Sequence, residues 1–214
     1  MVALFNGMGA GAAALVALGE ITKQLPTTGT LSLGPTVAAA FSILIGSISF
    51  TGSLIAFAKL QELMTGRPIT FPAQNLLNGV LLAALIVAAL YVLFIQASGA
   101  VLVGFVIGAL ALGVLFVIPV GGADMPVIIS LLNSFTGLSA AATGFVIGNN
   151  ALIIGGTLVG ASGTILTILM SRAMNRSLFN VLFGAFGSAE VAGAAGAGAA
   201  IGQQTVRSAS PEDV

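Results

Sequence analysis

The side chains that could do chemistry in this sequence are amides and hydroxyls, because the usual catalytic residues are missing or scarce. The 214 residues include no histidine and no cysteine, and only 6% are charged. A Ser-His-Asp or Cys-His catalytic arrangement and a thiolate metal site are therefore excluded within this sequence. The net charge is zero, so no basic surface exists to attract nucleic acid. We expect this chain to hold no catalytic, cofactor-binding or metal-binding residue.

The polar residues that remain recur at helical spacing inside apolar segments. Asn133, Thr136, Ala140 and Thr143 follow i, i+3, i+7 and i+10, which places them on one face of a helix. A buried amide at membrane depth needs hydrogen-bond partners, because an unsatisfied polar group in lipid costs several kcal/mol. These side chains either hold helices together or line a path for water or protons, and the residue pattern leaves both open.

The elements that must position these side chains are membrane-spanning helices. Hydrophobic residues make up 57% of the chain, and its mean hydropathy is +1.15. A bilayer core about 30 Å thick requires roughly 20 apolar residues in a helix. Segments of that kind lie at 1–19, 36–58, 76–95, 100–120, 125–147 and 151–171. None alternates as a barrel strand would, so we expect an all-α integral membrane protein, a polytopic bundle of about six transmembrane helices.

The basic residues orient this bundle. With six spans, five of the six basic residues share a side with both chain ends: Lys59, Arg67, Arg172, Arg176 and Arg207. Lys23 falls on the other side. By the positive-inside rule, both ends are expected in the cytoplasm. Residues 1–176 then form the transmembrane domain, and the Ala/Gly-rich and polar stretch 177–214 is expected to be a cytoplasmic linker or tail.

Glycines at helical spacing predict the faces through which the helices pack. The expected packing positions are Gly46 and Gly52 of the second span and Gly156, Gly160 and Gly163 of the sixth. On the fourth span only Gly104 and Gly108 offer such a contact. The third span is nearly free of polar residues and is expected to face lipid. The first, second, fifth and sixth spans are therefore expected to form the core.

The same four spans contain a possible internal helix-pair repeat. Residues 5–7 resemble 132–134, and residues 44–55 resemble 158–166 if a gap of three residues is allowed. Chance similarity between Gly/Ala-rich helices is the alternative. Transport folds often place their site between such repeats, so the pattern favours a function at the interface of the two pairs.

Asp124 and Arg176 lie where the fifth span begins and the sixth has ended. Asp124 precedes a turn that contains Pro126, so it can cap the helix N-terminus. It is also placed where it could take part in coupling, and the two roles can coexist. Arg176 could anchor the sixth span at the lipid headgroups.

Several blocks of this sequence together resemble the beta subunit of proton-translocating NAD(P)+ transhydrogenase. In chain order they are residues 50–59, 121–127, 132–134, 158–166 and 173–177. The resemblance extends over roughly residues 1–187. It implies a membrane domain through which protons move inward while hydride passes from NADH to NADP+. It also implies a partner alpha subunit that binds NAD(H) and a soluble NADP(H)-binding domain that follows the helices.

The resemblance also implies roles for single residues. Asn6 stands where many members have a histidine implicated in proton transfer, but asparagine cannot titrate. Asn133 and Thr136 match polar channel positions. Asp124 and Arg176 match positions near the surface that faces the nucleotide domain. The protonatable group is therefore expected on the alpha subunit or on another beta-subunit segment.

Measured against the family pattern, helices are expected before Met1 and a nucleotide domain after the Ala/Gly run at 193–202. This chain alone is therefore not expected to bind NADP(H) or to transfer hydride. Its expected partners are the alpha subunit, the remaining beta-subunit segments, a second copy of the complex and the lipid of a bacterial plasma membrane. A small-molecule or ion transporter built from repeated helix pairs is the alternative function, and a purely structural membrane subunit is a third.

Overall fold

The computed structural model describes residues 1–24, 33–94 and 99–175. Arg176 and the expected linker 177–214 lie outside these residues. The helices are α1 (Val2–Gln24), α2 (Leu33–Leu60), α3 (Gln74–Phe94), α4 (Gly99–Val117), α5 (Met125–Ile147) and α6 (Asn150–Ala173). All six are long and apolar enough to cross a membrane, and the described residues contain no strand. The prediction of an all-helical membrane protein with six spans is confirmed.

Local chemistry explains where α1 and α4 end. α1 runs beyond residue 19 because Glu20 and Lys23 pair at 2.9 Å, one helical turn apart, so both charges can remain on the helix. α4 ends at Val117, before residue 120, because Pro119 has no N–H and its ring clashes with the preceding turn.

The junction between α5 and α6 has clear stop and start signals. α5 ends at Gly148, whose φ of 66° is a left-handed conformation that glycine adopts without strain. α6 begins after Asn149, whose side chain accepts a hydrogen bond of 3.1 Å from the backbone N–H of Leu152. The two helices therefore turn back on each other within a few residues and pack side by side.

The bundle is built around α2 and α5, which run antiparallel. α1 packs against both of them, α4 against α2, and α6 against α5. α3 contacts mainly α4 and buries only four residues: Gln74, Asn78, Leu85 and Val92. Most of the third span is therefore exposed on the outside of the bundle, where lipid would lie.

α5 and α6 meet backbone to backbone through glycines. A Cβ added to Gly156 would lie 2.4 Å from the backbone nitrogen of Ala141, and one added to Gly137 would lie 2.4 Å from that of Gly160. Gly163 is similarly tight against α5, where an added Cβ would approach a backbone nitrogen to 2.8 Å. Only residues without side chains fit at this crossing.

The two expected packing glycines of α2 also lie close to neighbouring helices, Gly46 more closely than Gly52. A Cβ on Gly46 would lie 2.6 Å from Ser139 Oγ and 2.9 Å from the carbonyl oxygen of Ala10. A Cβ on Gly52 would lie 3.0 Å from a methyl group of Val117. Gly46 therefore allows α1 and α5 to pack close to α2, and Gly52 allows α4 to do so.

The packing residue of α4 differs from the expectation. Gly104 has no neighbour within 4 Å of an added Cβ, and Gly108 meets Leu85 of α3. Gly113 makes the close approach to α2 instead, since a Cβ there would lie 2.5 Å from the carbonyl oxygen of Ile48. The expectation that only Gly104 and Gly108 offer a contact was wrong, because Gly113 lies on the face turned towards the core.

We predict that Gly156→Ala separates α5 from α6, whereas Gly155→Ala does not. The first methyl group would meet the backbone of Ala141, but the second would meet nothing within 4 Å. Overpacking of this kind typically costs about 1–3 kcal/mol. Thermal unfolding of the two purified variants in detergent measures the difference. Equal melting temperatures would show that the glycine contact does not hold the two helices together.

Candidate functional site

Polar side chains line the contact between α1, α2 and α5, in a band that we call the polar seam. Its members are Asn6 on α1, Ser42, Ser49 and Ser53 on α2, and Thr136, Ser139 and Thr143 on α5. At its first level, the Asn6 side-chain nitrogen donates to Ser53 Oγ at 2.9 Å. The Asn6 Oδ1 atom is buried and has no hydrogen-bond partner among the described residues. This oxygen remains able to accept a hydrogen bond.

The second level of the polar seam lies one helical turn before Ser53 on α2. Ser49 Oγ is 2.8 Å from Thr136 Oγ1 and also 2.8 Å from the carbonyl oxygen of Leu132. Thr136 can donate to the same carbonyl at 2.9 Å. Hydroxyls both donate and accept, so this level ties α2 to α5 and can also exchange partners with water.

The third level lies at the opposite end of the polar seam. Ser42 Oγ is 2.9 Å from Ser139 Oγ and 2.7 Å from Thr143 Oγ1. Thr143 also reaches the carbonyl oxygen of Ala13 at 3.1 Å, so all three helices meet here. The polar face predicted for the fifth span included Thr143 but not Ser139. Its position three residues after Thr136 was the available signal.

Asn133 lies differently from the other predicted path residues. It is half-buried, and its side chain makes no hydrogen bond with any part of the chain that the structure describes. Thr136, by contrast, is bonded into the seam, and Asn6 is bonded on one side only. The structure therefore does not bond Asn6, Asn133 and Thr136 to one another. It leaves two amide groups able to bind further partners.

A buried lysine joins α2 to the end of α4. In the sequence, this residue was recognised only as one of the charges that orient the bundle. Lys59 is 3% exposed. Its Nζ donates to the carbonyl oxygens of Val120 at 2.8 Å, Val117 at 3.5 Å and Ile118. An ammonium group has three N–H bonds, and here each has an acceptor. The last carbonyls of a helix lack intrahelical partners and carry partial negative charge, so a buried cation suits this place.

The α2–α3 loop reinforces this anchor. The Gly122 N–H donates to the Gly66 carbonyl at 2.8 Å, and the Ile69 N–H donates to the Ile118 carbonyl at 3.3 Å. Together with Lys59, these bonds attach the α4–α5 connection to α2. An open, polar cleft of about 570 Å³ lies beside the lysine.

Asp124 lies on this anchored connection, at the end of a single 3-10 turn (Gly122–Asp124) that leads into α5. It occupies the N-cap position, and Pro126 follows in the first turn. Its side chain makes no capping hydrogen bond, however, so the expected capping role was wrong. The 3-10 turn leads into the helix in its place.

Charged groups in the described part of the chain lie at helix ends or in loops rather than in the middle of a span. No group of three or more acidic side chains there could hold a metal ion. The chemistry of the polar seam is therefore confined to hydrogen bonding by amides, hydroxyls and backbone carbonyls.

Comparison with known proteins assigns a family to this arrangement. A family model described as NAD(P) transhydrogenase beta subunit matches residues 1–214. Two relatives called NAD(P) transhydrogenase subunit beta, from Rhodospirillum rubrum and from one of its strains, are 46% identical over 217 residues. The match covers 100% of this chain and 46% of each relative, so the chain spans about half the length of these relatives.

We predict that Lys59→Met destabilises the bundle more than Lys23→Met. The first change removes three hydrogen bonds and leaves the Val120 carbonyl without a donor, for a loss of about 1–3 kcal/mol. The Lys23 side chain is 73% exposed, and its pair with Glu20 contributes little. Thermal unfolding in detergent compares the variants. A Lys59→Met protein as stable as Lys23→Met would contradict the anchor.

Proposed function

The chain belongs to the NAD(P) transhydrogenase beta-subunit family, and we propose that it forms the membrane-embedded proton path of that enzyme. In the assembled complex, hydride transfer from NADH to NADP+ is coupled to inward proton movement through these helices. The nucleotides bind elsewhere: NAD(H) to the alpha subunit, and NADP(H) to beta-subunit sequence outside this chain. This chain alone does not catalyse hydride transfer.

The observation that carries this proposal is the unpartnered amide oxygen of Asn6. A buried carbonyl oxygen without a hydrogen bond is unfavourable by about 1–3 kcal/mol, which favours binding of a water molecule. The oxygen lies beside Ser53, at one end of a seam whose hydroxyls can each donate and accept. Water bound here would extend the hydrogen-bonded line from the membrane surface towards Ser49 and Thr136.

Asn133 is the second place where the path takes up water. Its amide is half-buried and has both donors and an acceptor available. Asn6, Asn133 and Thr136 therefore hold water but do not titrate. The group that gains and loses the proton lies on the alpha subunit or on another beta-subunit segment, in contact with these amides.

Coupling to nucleotide state runs through Asp124 and Arg176. Asp124 lies on the connection that Lys59 and Gly66 attach to α2. A movement imposed on that connection would therefore reach α2, which carries three of the seven residues of the polar seam. Arg176, which lies outside the described residues, follows α6 on the same side of the membrane.

The complex lies in the bacterial plasma membrane as a dimer, with both ends of this chain in the cytoplasm. This orientation places five of the chain's six basic residues on the cytoplasmic side, as the positive-inside rule requires. The transporter alternative finds no support in the cavity of about 390 Å³ between α1, α2 and α4. Apart from Ser47, its lining residues are apolar or lack a polar side chain, so it offers no site for a polar substrate.

We predict that Asn133→Leu in the assembled complex slows proton-coupled turnover by about tenfold or more, because the path loses a water-binding amide. Nucleotide affinity stays unchanged, since the nucleotides bind elsewhere. Proton movement in proteoliposomes and nucleotide titration measure the two effects.

Asn150→Leu is the matched control, because Asn150 is exposed at the start of α6 and lies outside the seam. It should leave both quantities unchanged. Wild-type coupled rates in the Asn133→Leu complex would remove this residue from the path and favour a purely structural role. Loss of nucleotide binding would instead indicate a general folding defect.

A further inference from the structure

The hydroxyl cluster of Ser42, Ser139 and Thr143 has more hydrogen-bond contacts than protons. Ser42 Oγ reaches Ser139 Oγ, Thr143 Oγ1 and the Ser139 carbonyl, the last at 3.0 Å. Ser139 Oγ reaches the Ser42 carbonyl at 3.0 Å, and Thr143 reaches the Ala13 carbonyl at 3.1 Å. Three hydroxyl protons must therefore be distributed among five contacts.

At least two arrangements of these protons satisfy every hydroxyl. In one, Ser42 donates to Thr143, and Thr143 donates to the Ala13 carbonyl. In the other, Thr143 donates to Ser42, and Ser42 donates to Ser139 Oγ or to the Ser139 carbonyl. The two arrangements have opposite directions through the same oxygen atoms. A hydroxyl chain that can run in either direction is the arrangement that proton relay requires.

Some other hydroxyls of this chain form hydrogen bonds only within their own helix. On α6, Thr157 and Thr167 each donate to the carbonyl four residues earlier in their own helix. The cluster hydroxyls instead contact one another across helices, and Thr143 reaches a carbonyl of α1. Thr143 is 1% exposed, so these contacts are made in the bundle interior.

Gly46 leaves the α2 surface between this cluster and the second level of the polar seam without a side chain. It lies on α2 between Ser42 and Ser49, and a Cβ there would lie 2.6 Å from Ser139 Oγ. No side chain at position 46 therefore separates Ser139 from Thr136, which lies three residues earlier on α5, about 4.5 Å along the helix axis.

We propose that Ser42, Ser139 and Thr143 form the far half of the proton path, as a hydroxyl relay between the second level of the seam and the opposite membrane surface. This inference rests on the proposed function. For inward movement, Thr143 Oγ1 accepts a proton from the far side as its own proton passes to Ser42 Oγ. Ser42 passes its proton to Ser139 Oγ, and Ser139 releases one to a water molecule that bridges to Thr136, since the two hydroxyls make no direct hydrogen bond. The transfers are concerted, so each oxygen ends with one proton, and the hydroxyls then rotate back.

The test uses the assembled complex in proteoliposomes, with Thr143→Val and Ser139→Ala as variants. Both changes remove a hydroxyl and keep similar side-chain volume. We expect nucleotide-driven proton movement, followed with a pH-sensitive dye, to fall by about tenfold or more in each. Thr143→Ser should retain most of the wild-type rate, because the hydroxyl remains.

The matched controls are Thr157→Val and Ser162→Ala, which remove hydroxyls from exposed positions of α6. The ratio of protons moved to hydride transferred separates relay from packing. A packing role would lower thermal stability and leave that ratio unchanged. If either cluster variant fails to assemble, the other variant and Thr143→Ser still decide the outcome.

The inference is overturned if Thr143→Val and Ser139→Ala keep the wild-type rate and ratio while Asn133→Leu loses them. That result leaves the proposed function standing and limits the path to its near half. If the wild-type complex itself moves no protons with hydride transfer, the proposed function fails first, and the relay fails with it.

Discussion

The antiparallel contact between α2 and α5 determines how the other described helices can pack. Neither helix can turn its hydroxyls to lipid without losing hydrogen bonds, so each turns them to the other. Ser42 pairs with Ser139, and Ser49 pairs with Leu132. Moving seven residues forward on α2 therefore corresponds to moving seven residues backward on α5. Both pairs fit one register of the two antiparallel helices. α1 then fits only where Gly46 leaves space, and α4 and α6 occupy the remaining faces.

Much of this fold could be predicted because lipid imposes simple requirements. Span number follows from apolar length, and the crowded face of α6 follows from the spacing of its glycines. Periodicity identifies the face of a helix that carries glycines or polar residues, but it does not identify the helix that packs against this face. Gly113 was missed for that reason, and Ser139 was missed because it lies beside the face marked by Asn133 and Thr136. Lys59 was missed as an anchor because a rule based on loop charge says nothing about burial.

The candidate site could be predicted as a set of residue types but not as a set of bonds. The sequence places an amide at Asn6 and hydroxyls at helical spacing, and the family resemblance assigns them to a proton path. Only three-dimensional contact separates residues whose polar groups are satisfied from those still able to bind water. Thr136 belongs to the first group, whereas Asn6 has one open acceptor and Asn133 has a whole amide. That difference follows from which side chains the neighbouring helices bring near, and no local pattern contains it.

The two ends of α2 are held by contacts of different strength, and this difference suits a helix that must respond to a distant event. Near its end, Lys59 makes three charge-assisted hydrogen bonds, which are the stronger kind, to the last carbonyl of α4 and to two carbonyls that follow it. Towards its start, Ser42 makes hydroxyl contacts that average about 0.6 kcal/mol each inside membrane bundles. A displacement of the α4–α5 connection would therefore move the anchored end with it and be taken up where bonds exchange most easily. In the proposed coupling, the anchor would transmit movement and the hydroxyl cluster would yield to it.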